Sequence, residues 1–212
     1  MLYIVETGEE IQSIADLEGK TVWSSGKGST PEYALNYILE QNGVNANVEY
    51  TSEHAEVVAH LANGDAQVGV LPQPFVTSAL AQNENLRVAL DVTEEWNKVS
   101  GGNGGLTMGC VIVRAAFAEE HPQALRDFFA AYAASVDFVN TQVAEAAQMV
   151  ADVGIIPAAP VAQKAIPECN IVFITGDEMK TTANGFFQVL FNADPASVAG
   201  SLPDDGIYLY VE

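Results

Sequence analysis

Lys27, Gly28, Ser29 and Thr30 place a cation, a residue without a side chain and two hydroxyls directly ahead of Pro31 and a helical run. Such a set can hold a small anion or polar head. Free N–H groups in a helix's first turn carry partial positive charge, glycine permits close approach, and hydroxyls donate hydrogen bonds. A phosphate-cradling P-loop is excluded by spacing. It needs four residues between its first glycine and a Gly-Lys pair, then Ser or Thr directly after the lysine. Here Gly28 follows Lys27, and Gly19 lies seven positions before Gly26. The dinucleotide fingerprint fails too, because Pro31 stands where its third glycine belongs. What remains is a capped helix start, either with Thr30 as N-cap before Pro31 or with Ser29 and Glu32 as a capping box. An ordinary cap accounts for the residues as well as a binding loop does.

A second stretch, "LPQPFVT" at 71–77, leaves an apolar strand and enters a helix through Gln73 and Pro74. It sets Gln73 and Phe75 at the rim that also carries Ser25, Lys27, Gly28, Ser29 and Thr30. These seven residues are the candidate ligand contacts. No catalytic or metal-ligating set competes with them. His54 and His60 are six apart, about 120° around a helix, and Glu56 with His60 falls on a solvated face. His121 precedes Pro122 as a capping residue, and no G-x-S-x-G elbow occurs. Cys110 and Cys169 match neither a metal clip nor a disulfide framework, and their apolar settings predict buried free thiols.

The elements that must position these residues alternate regularly from Gly19 to Val92. "KTVWSS", "NVEYT", "AQVGVL" and "LRVAL" have strand character, and "TPEYALNYILEQNG", "EHAEVVAHLANG" and "PFVTSALAQN" have helical periodicity between them. Ala34, Leu35, Ile38 and Leu39 form one stripe opposite Glu32, Asn36 and Glu40, and Gly43 ends the helix. The next helix turns Val57, Val58, Leu61 and Ala62 inward and stops at Gly64. Strands separated by single helices pair in parallel with right-handed crossovers, and ligands of such sheets bind beyond the strands' carboxyl ends. After Val92, "TEEWNKVSGGNGG" predicts a flexible crossing, "LTMGCVIV" a strand, and "HPQALRDFF" a long helix bearing Leu125, Phe128, Phe129, Tyr132, Val136 and Val139. The remainder is mainly helical, with strand candidates at "NIVFI" and "IYLYV" and one at the front, "LYIV". The predicted division is a complete α/β lobe over 17–99, inserted in a partial first lobe made of 1–16 and 100–212.

The chain has 212 residues, is 49% hydrophobic and carries a formal charge of −20. That composition supports a packed core and makes nucleic acid or anionic lipid an electrostatically costly partner. No apolar run reaches the ~20 residues of a membrane span, and "MLYIV" is far shorter than the apolar region of a signal peptide.

Three segments together, "IADLEGKTVWSSGKGSTPEYALNYILEQNG", "LANGDAQVGVLPQPFVTSAL" and "VIVRAAFAEEHPQALRDFFAAYAASVDFVN", resemble the substrate-binding proteins of ABC importers. The likeness is to the two-lobed class that binds sulfonate, taurine, nitrate and thiamine precursors. It implies a periplasmic-binding-protein-like α/β fold of type II, no catalysis and no cofactor. Two lobes would close on a small polar or anionic solute and dock on an ABC permease, outside the cytoplasm, the full-length protein being periplasmic or a membrane-anchored lipoprotein. The Gly28–Thr30 loop would receive the solute's head, Gln73 would form a second wall, and Ser100, Gly101, Gly102, Gly104 and Gly105 would lie in the interlobe hinge. Proteins of this class begin with a signal sequence and a β-α-β-α-β run, which this sequence does not show; the expectation is an open sheet edge that invites self-association. Two readings compete. An enzyme resembling the pyrimidine synthases would need clustered cysteines, and a sensory ligand-binding module would carry a signalling segment.

Overall fold

The computed structural model describes residues 1–101 and 104–210. Five strands form one sheet: β1 (Leu2–Thr7), β2 (Thr21–Ser25), β3 (Asn47–Thr51), β4 (Val68–Pro72) and β5 (Leu86–Asp91), in the spatial order β3-β2-β4-β1-β5. Four helices follow the last four strands: α1 (Thr30–Asn42), α2 (His54–Asn63), α3 (Phe75–Gln82) and α4 (Val92–Val99). The alternation expected over 19–92 is present strand for strand. β2 is parallel to β3 and to β4, as single-helix crossovers require.

β1 departs from the expected division. It runs antiparallel to both β4 and β5, Leu2 opposite Pro72 and Tyr3 opposite Asp91, so it lies inside the sheet rather than in another lobe. Its residues Leu2 to Val5 are buried, which only a strand covered on both faces accommodates. The boundary at residue 16 therefore falls within one unit. Met1–Thr107 and Thr181–Leu202 form that unit, and Met108–Lys180 with Pro203–Glu212 forms a second.

Helix faces follow the periodicity. α1 buries Ala34, Leu35, Ile38 and Leu39, and α2 buries Val57, Val58 and Leu61; each large apolar side chain so placed contributes roughly 1.5–3 kcal/mol. Gly43 and Gly64 end these helices in the left-handed conformation. The segment "TEEWNKV" is helical rather than a flexible crossing. Asp91 accepts hydrogen bonds from Thr93 N (2.7 Å) and Glu94 N (3.2 Å) to start α4, and Trp96 is fully buried between Tyr37 and Phe186.

The glycines that follow are held, too. Ser100 is buried, and its N–H donates to Trp96 O. Gly104 O accepts from Trp96 Nε1 (3.4 Å), and Gly105 lies against Thr182. Gly101 has a positive φ of 62°, and Gly102 lies outside the described residues.

The second unit holds α5 (Ala115–Glu120), α6 (Pro122–Thr141), α7 (Val143–Asp152), α8 (Ala159–Ala165) and the start of α9 (Gly176–Ala193), and α6, α7 and α8 enclose a small core of Ala146, Ala147, Ala162 and Ile166. The three strand candidates here form no ladder among the described residues, because no neighbouring strand offers its N–H and C=O groups. "NIVFI" is instead pinned along α6, where Asn140 Nδ2 donates to Ile171 O (2.9 Å) and Phe173 packs edge-on to Phe129 and Tyr132. "LTMGCVIV" is extended and open, with Ile112 86% exposed. Cys110 is correspondingly exposed and Cys169 half-buried, so neither is the buried thiol expected.

A methyl group on Gly104 would sit 2.7 Å from Gly185 Cα and 2.9 Å from Thr182 O, whereas one on Gly43 meets nothing within 4 Å. Both have positive φ. G43A is expected to cost about 1 kcal/mol from backbone strain alone. G104A should cost about 1–3 kcal/mol more from the added clash. Urea unfolding of both variants checks the ordering; equal losses would mean Gly104 is not packed against α9.

Candidate functional site

β2, β3 and β4 run in one direction, so the loops after Ser25, Thr51 and Pro72 leave the same edge of the sheet. α4 begins there as well, since β5 shares the direction of β4, both being antiparallel to β1. Four helix N-termini thus converge at the carboxyl edge, the place where sheets of this kind take ligands.

Each N-terminus is already met by a side chain of the chain itself. Glu32 accepts from Gly28 N, Glu56 accepts from Ser52 N (3.0 Å), Gln73 Oε1 accepts from Thr77 N (3.2 Å) and Thr77 Oγ1 (2.8 Å), and Asp91 caps α4. Ser29 is the N-cap residue of α1 in extended conformation, and its hydroxyl donates to Gly26 O (2.6 Å). The proposed capping box thus becomes two separate bonds, with Thr30 as the first helical residue. Gly26 makes the turn possible: it has φ +75°, and a Cβ there would lie 2.7 Å from Ser29 Oγ.

Lys27 does not extend into the loop's anion position. Its Nζ lies 5.8 Å from the centre of the Tyr50 ring. The Tyr50 hydroxyl is buried beside Glu32 and makes no hydrogen bond of ordinary geometry; burial first, and then the Glu32 charge, pushes the phenol up to about 12.

The densest polar contact at this edge involves Ser25 and a residue that spacing arguments set aside. Ser25, 2% exposed at the end of β2, hydrogen-bonds His54 Nδ1 at the start of α2. The His54 ring centre lies 5.0 Å from that of Phe75, the first residue of α3. Thr51 Oγ1 reaches Ser24 O (3.4 Å) and Glu53 O (3.0 Å), tying the ends of β2 and β3 together. Gln73 N donates to Met1 O (3.1 Å), which fixes the neighbouring turn to the start of β1.

Of the seven expected contacts, Ser25, Phe75 and Gln73 gather around His54 and the β4–α3 turn, and Gly28, Ser29 and Thr30 form the adjacent helix start; Lys27 is drawn to Tyr50. The signal for His54 was available. β3 is a third parallel strand, so its exit loop belongs at the same rim as the other two. A concavity lined by Thr7, Gly64 and Asn83 lies at the opposite edge. Among the described residues no group of His, Cys, Asp and Glu is arranged to hold a metal ion, and no helix is long and apolar enough to cross a membrane.

Residues 1–165 match the family of phosphonate-type periplasmic substrate-binding proteins of ABC transporters. The chain belongs to this family. Its members are solute-binding components of importers rather than catalysts. No curated protein matches the chain. Among solved structures, an ABC transporter protein from Parabacteroides distasonis is 21% identical with a TM-score of 0.76, over 100% of this chain and 71% of that one. The periplasmic aliphatic sulphonate binding protein SsuA of Escherichia coli is 19% identical with a TM-score of 0.72, over 99% of this chain and 65% of that one. The alkanesulfonate-binding protein SsuA of Xanthomonas axonopodis pv. citri, bound to MOPS, is 16% identical with a TM-score of 0.63, over 96% and 66%. These likenesses establish the periplasmic-binding-protein-like α/β fold. The chain spans 65% to 71% of the lengths of these relatives.

Burial lowers the His54 pKa below the usual histidine value of about 6.5, with Glu53 opposing the shift. A folded pKa below the unfolded one means that stability from the neutral ring is complete above about pH 6.5 and is lost as pH falls through the folded value. H54Q is therefore expected to lose less stability than the native chain on acidification below about pH 6.5. Paired urea midpoints across that range measure the difference, and parallel curves would show that His54 is not held neutral.

Proposed function

We propose that this chain binds a small oxyanion-bearing solute, of the phosphonate or sulfonate type, at the carboxyl edge of its sheet and delivers it to an ABC permease outside the cytoplasm. One observation carries the reading. The parallel exits of β2, β3 and β4 bring Ser25, His54, Gln73 and the Gly28–Thr30 helix start to a single rim. Hydroxyl, imidazole and amide donors at one rim suit a head rich in acceptor oxygens, and the family match supports that class. In this reading the edge is one wall of the site. The protein works as a two-lobed, doubly wound binder whose hinge includes Ser100, Gly101, Gly104 and Gly105, and the buried Ser100 and packed Gly104 anchor one end of that hinge.

Ligand binding to the folded state raises stability by about 2.7 kcal/mol at a hundredfold excess over Kd. Methanesulfonate and methylphosphonate should therefore raise the melting temperature, and H54A should weaken the response by about tenfold or more in Kd through loss of a charge-assisted hydrogen bond. Stabilisation by cations or apolar compounds alone would sink the proposal. The open apolar run around Ile112 supports self-association of the chain, which predicts a mass above that of the monomer by light scattering at micromolar concentration.

A further inference from the structure

We propose that Glu32 is the chain's own stand-in for its ligand: its carboxylate occupies an anion position at the start of α1, and an arriving oxyanion displaces it onto the Tyr50 hydroxyl. The inference rests on reading the carboxyl edge as an oxyanion site, and it makes Glu32 the residue that sets how strongly an anion must bind to enter.

The donors of the α1 start can be counted. Ser29 N donates to Gly26 O (3.0 Å), and Glu32 N and Tyr33 N both donate to Ser29 O (3.1 and 3.3 Å). Pro31 has no N–H to give. Gly28 N donates to Glu32 Oε2, and Thr30 N is left without an acceptor among the described residues. The Gly28 N–H is thus a donor that already seats an oxyanion, and the oxyanion it seats belongs to the chain. Gly28 is exposed, and a Cβ built on it would meet nothing within 4 Å. A solute's oxygen can reach the position that Glu32 fills, but only by taking its place.

Displacement is unfavourable unless the carboxylate has somewhere to go. Releasing it breaks a charge-assisted hydrogen bond, and the incoming anion repels it. The Tyr50 hydroxyl supplies the new position. It belongs to β3, is buried beside Glu32 and the Asn36 amide, and makes no hydrogen bond of ordinary geometry. Because the phenol is pushed up to about 12, it remains a donor throughout the neutral range. Lys27 Nζ lies over the same ring, 5.8 Å from its centre, and adds positive charge there. A buried hydroxyl without an acceptor is costly, so the exchange satisfies two groups at once. Tyr50 O–H gains Glu32, and Gly28 N–H gains the ligand.

Exchange of this kind selects. An anion whose only contact is the Gly28 N–H replaces one carboxylate bond with a similar one and gains nothing against the entropy lost in its own capture. A solute stays only if it also engages other donors of the rim.

Isothermal titration calorimetry of the 212-residue chain with methanesulfonate and methylphosphonate, at about pH 7 and fixed salt, tests this. E32A is expected to bind both anions about tenfold more tightly, because no charge-assisted bond has to be broken first. E32Q should gain less, since its amide oxygen still accepts from Gly28 N in a weaker, neutral bond. Y50F removes the second position of the carboxylate, so it should weaken binding severalfold in the native background and leave the affinity of E32A unchanged. Without ligand, E32A should melt below the native chain, so that stability and affinity move in opposite directions. A residue that only caps the helix would lower stability and leave affinity where it was. An E32A affinity equal to the native one would overturn the inference. Equal gains in E32A and E32Q, with Y50F acting alike in both backgrounds, would reduce Glu32 to a distant charge and overturn it too; either result leaves the oxyanion site standing. Failure of every variant to bind either anion would overturn the site and the inference together.

Discussion

β1 runs against β4 on one side and β5 on the other, and that antiparallel insertion organises the rest of the first unit. A strand in this position must be apolar on both faces, yet β1 contains Glu6, which is 2% exposed. The carboxylate is tolerated because each oxygen is met. Ile11 N donates to both Glu6 oxygens (3.0 and 3.1 Å), and Arg87 of β5 pairs with the group while also donating to Gly8 O (3.0 Å) and Ile11 O (2.6 Å). Removing one partner of such a set leaves a buried charge uncompensated, so the network ties the end of β1 and the turn after it to β5. With β1 fixed between them, β4 and β5 must point the same way. The exits of β2 to β5 then all face one edge.

Convergence of four helix N-termini would by itself create a strongly positive rim, and the chain does not leave it so. Gln73 and Asp91 accept from first-turn N–H groups of α3 and α4, and Glu32 and Glu56 set carboxylates in the first turns of α1 and α2 while accepting from the N–H groups of Gly28 and Ser52 just ahead of those helices. The macrodipoles are thereby partly neutralised before any ligand arrives, and the cation of the rim, Lys27, is engaged with an aromatic face. In the proposed site, recognition is left to short-range donors on Ser25, His54 and Gln73. Such donors distinguish oxygens by geometry and protonation, which a diffuse positive field does not.

The sequence made the βα alternation legible because each of its elements is decided locally, by strand and helix periods and by glycine stops at Gly43 and Gly64. It did not reveal where β1 sits. Strand order is a matter of pairing between distant segments, and "LYIV" carries the same pattern in either lobe. The helix over Val92–Val99 was hidden behind its glycine-rich end, although Asp91 and Trp96 were the cap and the anchor. The strand candidates of the second unit show the complementary error. "LTMGCVIV", "NIVFI" and "IYLYV" have strand composition, but a strand exists only with a neighbour, and composition does not supply one. At the site, Ser25 and the two flanking loops were readable from strand exits. His54 was missed because a metal-spacing test was applied to it, and helical spacing says nothing about a residue placed by the end of a strand.

A chain of formal charge −20 that is proposed to take an anion faces an apparent contradiction. Salt screens the surface charges beyond about 8 Å, so the mean field acts weakly at contact distance, and the groups within hydrogen-bond reach decide affinity. Of the carboxylates at this rim, Glu32, Glu56 and Asp91 have oxygens turned to backbone N–H groups at their own helix starts. A permanently charged cation in their midst would be drawn to them, as Lys27 is drawn to Tyr50 beside Glu32. A neutral imidazole backed by a hydroxyl avoids that competition.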